Sequence, residues 1–456
     1  MNWQTLFTRK RLGNEHRYHS EAIDPLRNDY LRDYDRLIFS SAFRRMQNKT
    51  QVFPVPGPVF VHNRLTHSLE VASVGRSLGK AAGVWIAEKY PNETPEFQEF
   101  YRYDLPTVIA TACLAHDIGN PPFGHSGESA IRNYFDNLSG EILQVLEEKL
   151  SHNQFNDFKK FEGNANAFRI LTNPINSHQL TYTTLASIVK YPTDSSHGFD
   201  KKTGWVATKK SGFFDSEIAT YKKIAQELDI TDIDTSQNIY ARHPFVFLME
   251  AADDICYRVI DLEDAHRLRI LNINQVLDLL LPFWEKDEKT YNYLTQDKLN
   301  RITDNNEKLS FLRAMLIGKL ITQCTEAFSQ HEVEILNGTL NKSLIDLLDP
   351  HTQACLKRVD DLSVKEIYNF KSVVEIEIAG FNVIGELLEQ FVGAVLKPKQ
   401  PKSQKLLKII PTQFSIKGED LYTDIQSVVD FIAGMSDLFA VDLYRRITGI
   451  TIHNIA

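Results

Sequence analysis

Several histidines and aspartates in this chain have the types and settings of metal ligands. His67 closes the segment Arg64-Leu65-Thr66-His67, and His116 and Asp117 are adjacent within residues 115–119. A distant segment, residues 251–255, contributes Asp253. Imidazole and carboxylate ligands together suit a divalent hydrolytic metal and leave coordination positions open for water and substrate. The sequence therefore predicts a single metal centre formed by His67, His116, Asp117 and Asp253.

The residues around these ligands point to phosphate-ester hydrolysis. Arg64 has the planar, permanently charged guanidinium that binds phosphate well. The turn at residues 120–125 brings His125 back toward the histidine–aspartate pair. Tyr257 and Asp261 follow Asp253 at i+4 and i+8, which places all three on one strip of a helix.

Apolar residues recur at helical spacing through the three segments that carry the ligands. His67 precedes one predicted helix, Pro106 begins a second that runs into His116 and Asp117 and stops at Gly119, and Pro244 begins the third. The run before Asp253 is apolar, so one face of that helix should be buried. A buried carboxylate needs a metal or a polar partner.

Composition limits the classes of protein to consider. The chain has 456 residues with 43% apolar and 24% charged content, as in folded globular proteins. The net charge of -8 argues against a generally basic nucleic-acid binder, although a basic pocket can lie within an acidic surface. The four cysteines show no CxxC spacing, and neither a secretion signal nor a membrane-spanning apolar run is predicted. These features are typical of a cytoplasmic protein.

Seven segments occur in the order found in one enzyme family. They are residues 49–53, 64–71, 116–125, 161–165, 249–255, 261–265 and 430–437. On these motifs the chain resembles the HD-domain deoxynucleoside triphosphate triphosphohydrolases, and among them the bacterial deoxyguanosine triphosphate triphosphohydrolases. The resemblance implies a mainly α fold, an HD-domain helical core with additional helical segments. At most a small β element is expected, and residues 373–378 alternate in a way that suggests a strand.

The resemblance also implies the reaction. Water attacks the α-phosphorus of a deoxynucleoside triphosphate, dGTP by family likeness, and releases a deoxynucleoside and tripolyphosphate. Mg²⁺ or Mn²⁺ is the expected cofactor. The sugar 5′ alkoxide is a poor leaving group, so we expect His125 to donate a proton, oriented by Glu128. Some relatives have histidine where this chain has Asn120 and Phe161, so the proton chemistry rests more heavily on His125.

Substrate-binding residues are expected by the same resemblance. Arg64, Lys190 and Lys210 are the candidate cations for the triphosphate. Lys190 precedes, and Lys210 lies within, a loop at residues 191–216 that could be a lid, a binding loop or a plain surface excursion. The remaining candidates, which would contact the sugar or line the site, are Gln51, Val52, Asn120, Asn164, Tyr257 and Asp261. Tight packing at Gln51 and Val52 would reject a 2′-hydroxyl.

Organisation and partners are further expectations. Residues 1–270 would form the catalytic core with an N-terminal segment, and residues 271–456 a helical region packed on it, the two forming one continuous structural unit. The family suggests closed homo-oligomers, often hexamers, and raises single-stranded DNA as an effector. Two other functions stay open: a metal-dependent phosphomonoesterase or phosphodiesterase on the same scaffold, and a non-catalytic nucleotide-sensing or single-strand-binding assembly.

Overall fold

The computed structural model describes residues 1–15, 27–53, 61–173, 178–197, 204–414 and 416–450. Across these residues the protein is mainly α, as predicted. The first half of the chain contains helices α1 Asp29–Ile38, α2 Ser41–Arg45, α3 Arg64–Lys89, α4 Pro95–Glu99, α5 Leu105–Ala115, α6 His125–Asp136, α7 Gly140–Lys149, α8 His152–Lys159, α9 Gly163–Thr172, α10 Tyr182–Ile188 and α11 Ile218–Glu227.

The second half begins with the long helix that carries Asp253. Its helices are α12 Pro244–Arg267, α13 Ile273–Leu280, α14 Glu288–Asn292, α15 Leu299–Arg301, α16 Asn305–Gln330, α17 Glu332–Leu336, α18 Pro350–Leu362, α19 Lys371–Leu396, α20 Pro401–Leu407, α21 Leu421–Ala433 and α22 Asp437–Ile447. Two short strands, β1 Asp232–Asp234 and β2 Ile239–Tyr240, pair antiparallel. They form the small sheet of the described chain.

Local sequence signals explain where the ligand-bearing helices start. Asn63 and Thr66 form a reciprocal capping box at the start of α3. Pro106 and Pro244 lie in the first turns of α5 and α12, where a missing backbone N–H costs nothing. Helix α5 ends at Ala115, so the adjacent His116 and Asp117 lie in the turn that follows it, not on the helix itself.

Helices α3 and α5 approach each other closely because α3 presents glycines to α5 and to the turn before it. A Cβ on Gly75 would lie 2.4 Å from Cys113 Sγ, and one on Gly83 would lie 2.0 Å from the Tyr101 carbonyl oxygen. Neither position has room for a larger side chain. This contact sets the distance between the helix that carries His67 and the helix that leads into His116.

The buried apolar side chains form two clusters. The larger one is built around α3, α5 and α12 and extends into α16 and α18. The smaller one joins α6 and α8 from the first half of the chain to α19, α21 and α22 from the last part. The division near residue 270 stays a prediction, but the C-terminal helices share a core with the helix that begins at His125.

The predicted strand at residues 373–378 is wrong. These residues form the first turns of α19, a helix of 26 residues. The alternation of Glu375 and Glu377 with apolar neighbours is local, whereas burial farther along recurs at Gly380, Val383, Ile384, Leu387 and Leu388, a helical period. A six-residue window was too short to distinguish the two patterns.

Helix α19 also corrects the prediction about membrane-spanning runs. By length and mean hydropathy alone, Lys371–Leu396 is sufficient to cross a bilayer, and half of its most apolar window is buried inside the protein. In the structure the apolar face of α19 forms much of the smaller core cluster.

Candidate active site

The four residues predicted as metal ligands lie together at the meeting point of α3, α5 and α12. Ligand atoms of His67, His116 and Asp117 all lie within 4.8 Å of one another. Asp253 Oδ1 lies 3.1 Å from His67 Nε2 and 3.4 Å from His116 Nε2. The structure thus brings two imidazoles and two carboxylates, from distant parts of the chain, to one point.

Neighbouring groups orient these four side chains. His116 Nδ1 lies 2.6 Å from the Cys113 carbonyl oxygen, so Nδ1 donates to that oxygen and Nε2 is the nitrogen that faces the cluster. Asp117 accepts hydrogen bonds from Arg64 at 2.6 Å and from the Asn120 side-chain amide at 2.5 Å. Asn120, which replaces a histidine of some relatives, therefore acts on a candidate ligand.

The electrostatics of the cluster favour positive charge at its centre. Burial opposes ionisation of His116, but the carboxylates of Asp117 and Asp253 outweigh it and raise the pKa of His116 to about 9. Burial would raise the pKa of Asp117, but the Arg64 guanidinium and the histidines hold it at about 2. The pKa of Asp253 is likewise held well below its ordinary value, against its burial, mainly by His116.

This donor set fits a divalent metal ion. Mixed imidazole and carboxylate ligands suit Mn²⁺, Mg²⁺ or other hydrolytic ions, and an imidazole fixed through Nδ1 is the usual arrangement of a histidine ligand. Each oxygen of Asp117 has a second lone pair beyond the hydrogen bond it accepts. His67, His116, Asp117 and Asp253 are the residues that would hold the ion.

A cavity of about 630 Å³ opens beside the cluster. Every predicted site residue lines it except His67, which is 1% exposed and lies beneath. The predicted residues in its wall are Gln51, Val52, Arg64, His116, Asp117, Asn120, His125, Glu128, Asn164, Lys190, Lys210, Asp253, Tyr257 and Asp261. Residues of the C-terminal half complete the cavity wall. The wall is therefore larger than the sequence motifs alone indicated.

His125 and Glu128 form a hydrogen-bonded pair at the start of α6. His125 Nδ1 lies 3.0 Å from Glu128 Oε2, and the His125 side chain is 81% exposed whereas that of Glu128 is 2% exposed. The other Glu128 oxygen accepts the backbone N–H of Gly163 at 2.8 Å. Glu128 is therefore fixed, and its pKa is lowered, against its burial, by His125. His125 Nε2 is left free to reach a ligand.

The three predicted cations line the cavity, and each is paired with a carboxylate. Arg64 binds Asp117, Lys190 Nζ lies 3.3 Å from Glu250, and Lys210 Nζ lies 2.9 Å from Glu162. Lys209, which the sequence did not single out, also lines the cavity and makes no ion pair with the residues the structure describes. Of the loop between the two lysines, residues 198–203 lie outside the described residues, so the predicted lid role is not addressed there.

The cavity lining also contains the predicted sugar-binding pair, Tyr257 and Asp261, and a tyrosine that sequence reasoning missed. Tyr368, in the turns that lead to α19, donates a hydrogen bond from its hydroxyl to Asp261 at 2.8 Å. Burial raises the pKa of Asp261 to about 7, although the Tyr368 bond opposes this. Tyr257 lies beside them and its ring is covered by the Arg258 guanidinium.

Gln51 presents an unsatisfied acceptor at the cavity. Its Oε1 is buried and has no hydrogen-bond partner among the described residues. An orphaned buried acceptor carries a free-energy cost that a donor from a ligand would relieve. The backbone of its neighbour Thr50 is hydrogen-bonded to Asp437 at 2.8 Å, so the segment is fixed from the C-terminal helices.

Three further lining residues come from α19, namely Val373, Ile376 and Glu377. No local motif marks them, because the contact between α19 and the catalytic turn is set by tertiary packing. Phe161, the other position where relatives have histidine, is 1% exposed and packs on Phe214 in the smaller core cluster. It therefore offers no group to the cavity.

Comparison with known proteins agrees with this geometry. Residues 64–234 match the HD domain and residues 348–446 match the phosphohydrolase-associated domain. The chain is 38% identical, over 99% of its length and 100% of the relative, to a deoxyguanosinetriphosphate triphosphohydrolase-like protein of Synechocystis. A protein of the same name from Pseudomonas aeruginosa is also 38% identical, over 98% of this chain and 99% of the relative.

A more distant relative has a name without the suffix. The deoxyguanosinetriphosphate triphosphohydrolase of Yersinia enterocolitica is 29% identical over 91% of this chain and 92% of its own length. The HD-domain match contains His67, His116 and Asp117 of the cluster. The chain is therefore a phosphohydrolase that belongs to the HD-domain deoxyguanosinetriphosphate triphosphohydrolase-like family.

Proposed function

We propose that this protein hydrolyses deoxynucleoside triphosphates, dGTP foremost, to the deoxynucleoside and tripolyphosphate, and that it requires Mg²⁺ or Mn²⁺. The observation that carries the proposal is the shared cavity. Its lining holds candidate metal ligands and the cationic side chains Arg64, Lys190, Lys209 and Lys210, and it also holds Tyr257, Asp261 and Tyr368. A triphosphate beside the cations and a sugar beside Tyr257, Asp261 and Tyr368 would match this lining.

The roles of the residues follow from their contacts. A divalent ion held by the cluster supplies Lewis acidity toward a phosphate oxygen and lowers the pKa of a bound water. Lys209 neutralises phosphate charge, and Arg64, Lys190 and Lys210 are shared between the substrate and their carboxylate partners. Glu128 keeps the Nδ1 proton of His125 in place, so a protonated His125 donates from Nε2 to the departing 5′-oxygen.

The sugar end of the cavity would select for deoxyribose. Gln51 Oε1 is an acceptor without a partner among the described residues, so a sugar hydroxyl can donate a hydrogen bond to it. Asp261 already accepts a hydrogen bond from Tyr368, and a sugar hydroxyl can donate a second one to the same carboxylate. Val52 is half-buried in the same wall. An extra 2′-hydroxyl beside an apolar side chain would be left without a partner, which disfavours ribonucleotides.

The deciding experiment is product analysis. The purified protein is incubated with each of the four dNTPs and with GTP, with Mg²⁺ or Mn²⁺, and the phosphate products are separated. Tripolyphosphate and deoxynucleoside in equal amounts are expected, fastest with dGTP and slowest with GTP. Release of monophosphate or diphosphate would instead identify a phosphomonoesterase or phosphodiesterase, and binding without turnover in either metal would identify a nucleotide-sensing protein.

Assembly is a separate part of the proposal. A closed homo-oligomer, with a hexamer as one form, and stimulation by single-stranded DNA rest on family likeness alone. Light scattering of the purified protein and assays with and without an oligodeoxynucleotide would test them.

A further inference from the structure

The turn that carries His125 is tied to the far C-terminal part of the chain. Asp437, the first residue of α22, is 3% exposed, and its Oδ1 accepts the backbone N–H of Phe123 at 3.0 Å. Its Oδ2 accepts both the backbone N–H of Thr50 at 2.8 Å and the Thr50 hydroxyl at 2.5 Å. One carboxylate thus joins the turn before α6 to the segment before α3.

A second buried group holds the other end of the same turn. Lys49 is 2% exposed, and its Nζ donates to the carbonyl oxygens of Asn120 at 2.5 Å and of Ala433 at 2.8 Å. Ala433 ends α21, just before α22 begins. The turn from Asn120 to His125 is therefore anchored at both ends to residues near position 435.

The conformation of the turn needs such anchors. Phe123 has φ 62°, a left-handed conformation that costs free energy for a residue with a Cβ. Gly124 has φ 58°, and a Cβ there would lie 2.6 Å from an Arg64 nitrogen. A Cβ on Gly380 of α19 would in turn lie 2.9 Å from Phe123. The turn is held in a strained conformation between the Arg64 side chain and the C-terminal helices.

We infer that Asp437 is a positioning residue for the reaction: its carboxylate fixes the strained turn so that His125 faces the substrate cavity. Asp437 does not line the cavity and touches no candidate metal ligand. It acts through Phe123, two residues before His125. The kinetic consequence of this inference rests on the proposed function, whereas the fixing of the turn by Asp437 does not.

The hold is measured without any substrate. Asp437→Asn keeps the shape of the side chain but replaces one acceptor oxygen with an NH₂ group. That NH₂ group is a donor and cannot accept the hydrogen bonds of the backbone N–H groups or of the Thr50 hydroxyl. Hydrogen exchange of the peptide that contains residues 118–125 should speed up by about tenfold, as expected for a lost hydrogen bond. Asp442→Asn is the matched control, because Asp442 is an exposed carboxylate on the same helix. Unchanged exchange in Asp437→Asn would overturn the inference.

The consequence for His125 is measured by a double-mutant cycle. Asp437→Asn alone should lower kcat by about 10–100-fold with KM nearly unchanged, because misplacing a catalytic group by about 1 Å has effects of that size. In the His125→Ala background the same substitution should change kcat by less than about twofold. If the fold-losses in kcat of the two single variants multiply in the double variant, or if Asp437→Asn loses stability with normal kcat, the role of Asp437 is merely structural and the inference is overturned.

A second variant guards against misfolding. Thr50→Val preserves side-chain shape and removes one of the three hydrogen bonds to Asp437, so exchange and kcat should shift in the same direction by a smaller factor. If the unaltered protein releases no tripolyphosphate from any dNTP, the proposed function fails, whereas the exchange measurement still decides whether Asp437 holds the turn.

Discussion

The smallest functional unit of the site is the pair formed by His125 and Glu128. The imidazole is exposed to the cavity while its carboxylate partner is buried and fixed by the Gly163 N–H. Burial of the partner fixes which ring nitrogen faces outward, and exposure of the ring allows it to reach a ligand. That division suits a group that gives a proton to substrate.

Replacing His125 tests this role. In His125→Ala we expect kcat to fall by about 10²–10⁴-fold, because a general acid acts mainly in the transition state, with KM within about threefold. Steady-state rates of tripolyphosphate release with dGTP and Mn²⁺ provide the measurement. Equal losses in kcat and in substrate affinity would contradict proton donation and assign His125 to binding.

Asp253 is the residue that links both histidines of the cluster. Asp253→Ala should weaken Mn²⁺ binding by more than the roughly 10–100-fold that an outer-sphere change produces. Metal content after dialysis and calorimetric titration with Mn²⁺ alone measure this. Glu377→Gln is the matched control, since Glu377 is an exposed carboxylate in the same cavity wall. Equal metal binding by the Asp253 variant and the unaltered protein would remove Asp253 from the ligand set.

Local sequence carried most of the information about this cluster. His116, Asp117 and His125 lie within ten residues of one another, so their convergence follows from one turn. Tyr368 and Asp437 could not be predicted in the same way. Their partners, Asp261 and Phe123, are 107 and 314 residues away, and only the packing of whole helices brings them together.

At the level of the elements, the spacing of α3 and α5 decides whether the cluster can form. Pro106 and Pro244 allowed the starts of α5 and α12 to be predicted. The end of α5 at Ala115 and the helical conformation of residues 373–378 were not predicted, because neither depends on the local sequence pattern. Glycine on α3 is the feature that permits the close approach.

Substituting a glycine on each of two helices distinguishes the effect of the close contact of α3 from the general effect of replacing glycine by alanine in a helix. Gly83→Ala should destabilise the protein by about 1–3 kcal/mol, because its Cβ would overlap the Tyr101 carbonyl. Gly318→Ala on α16, where a Cβ meets nothing within 4 Å, should stabilise by about 0.5–1 kcal/mol. Urea unfolding measures both. A similar change in the two variants would mean that the tight contact at Gly83 is relaxed in solution.

At the scale of the whole molecule, buried polar groups connect the first and last parts of the chain. Asp157 on α8 accepts hydrogen bonds from Tyr422 on α21 at 2.6 Å, from Ser195 at 2.5 Å and from the Asp215 N–H at 2.9 Å. Burial raises the pKa of Asp157 to about 7, against these hydrogen bonds. The connection between the halves is therefore sensitive to pH.

The sign of this dependence follows from linkage. Between the ordinary pKa of 3.8 and about 7 the folded protein retains a proton on Asp157 that the unfolded chain has lost. Raising the pH through that window therefore lowers the free energy of unfolding by up to about 1.4 kcal/mol per pH unit from this group. Asp157→Asn carries no such proton, so its stability relative to the unaltered protein should grow with pH.

Chemical denaturation of both proteins at several pH values across that window measures the difference. The control is Asp361→Asn, a change at an exposed carboxylate on α18, for which the difference from the unaltered protein should stay flat. A flat difference for Asp157→Asn as well would mean that Asp157 is ionised in the folded protein throughout.

The cavity wall also has a bearing on how the protein is made. Its lining residues run from Thr50 to Glu377, and Asp437 binds the turn that carries His125. A chain still attached to the ribosome lacks part of that wall until α19 has emerged, and lacks the last tie until α22 has followed. An unfinished polypeptide therefore lacks a complete cavity wall, and a product truncated before α22 lacks the carboxylate that holds the turn.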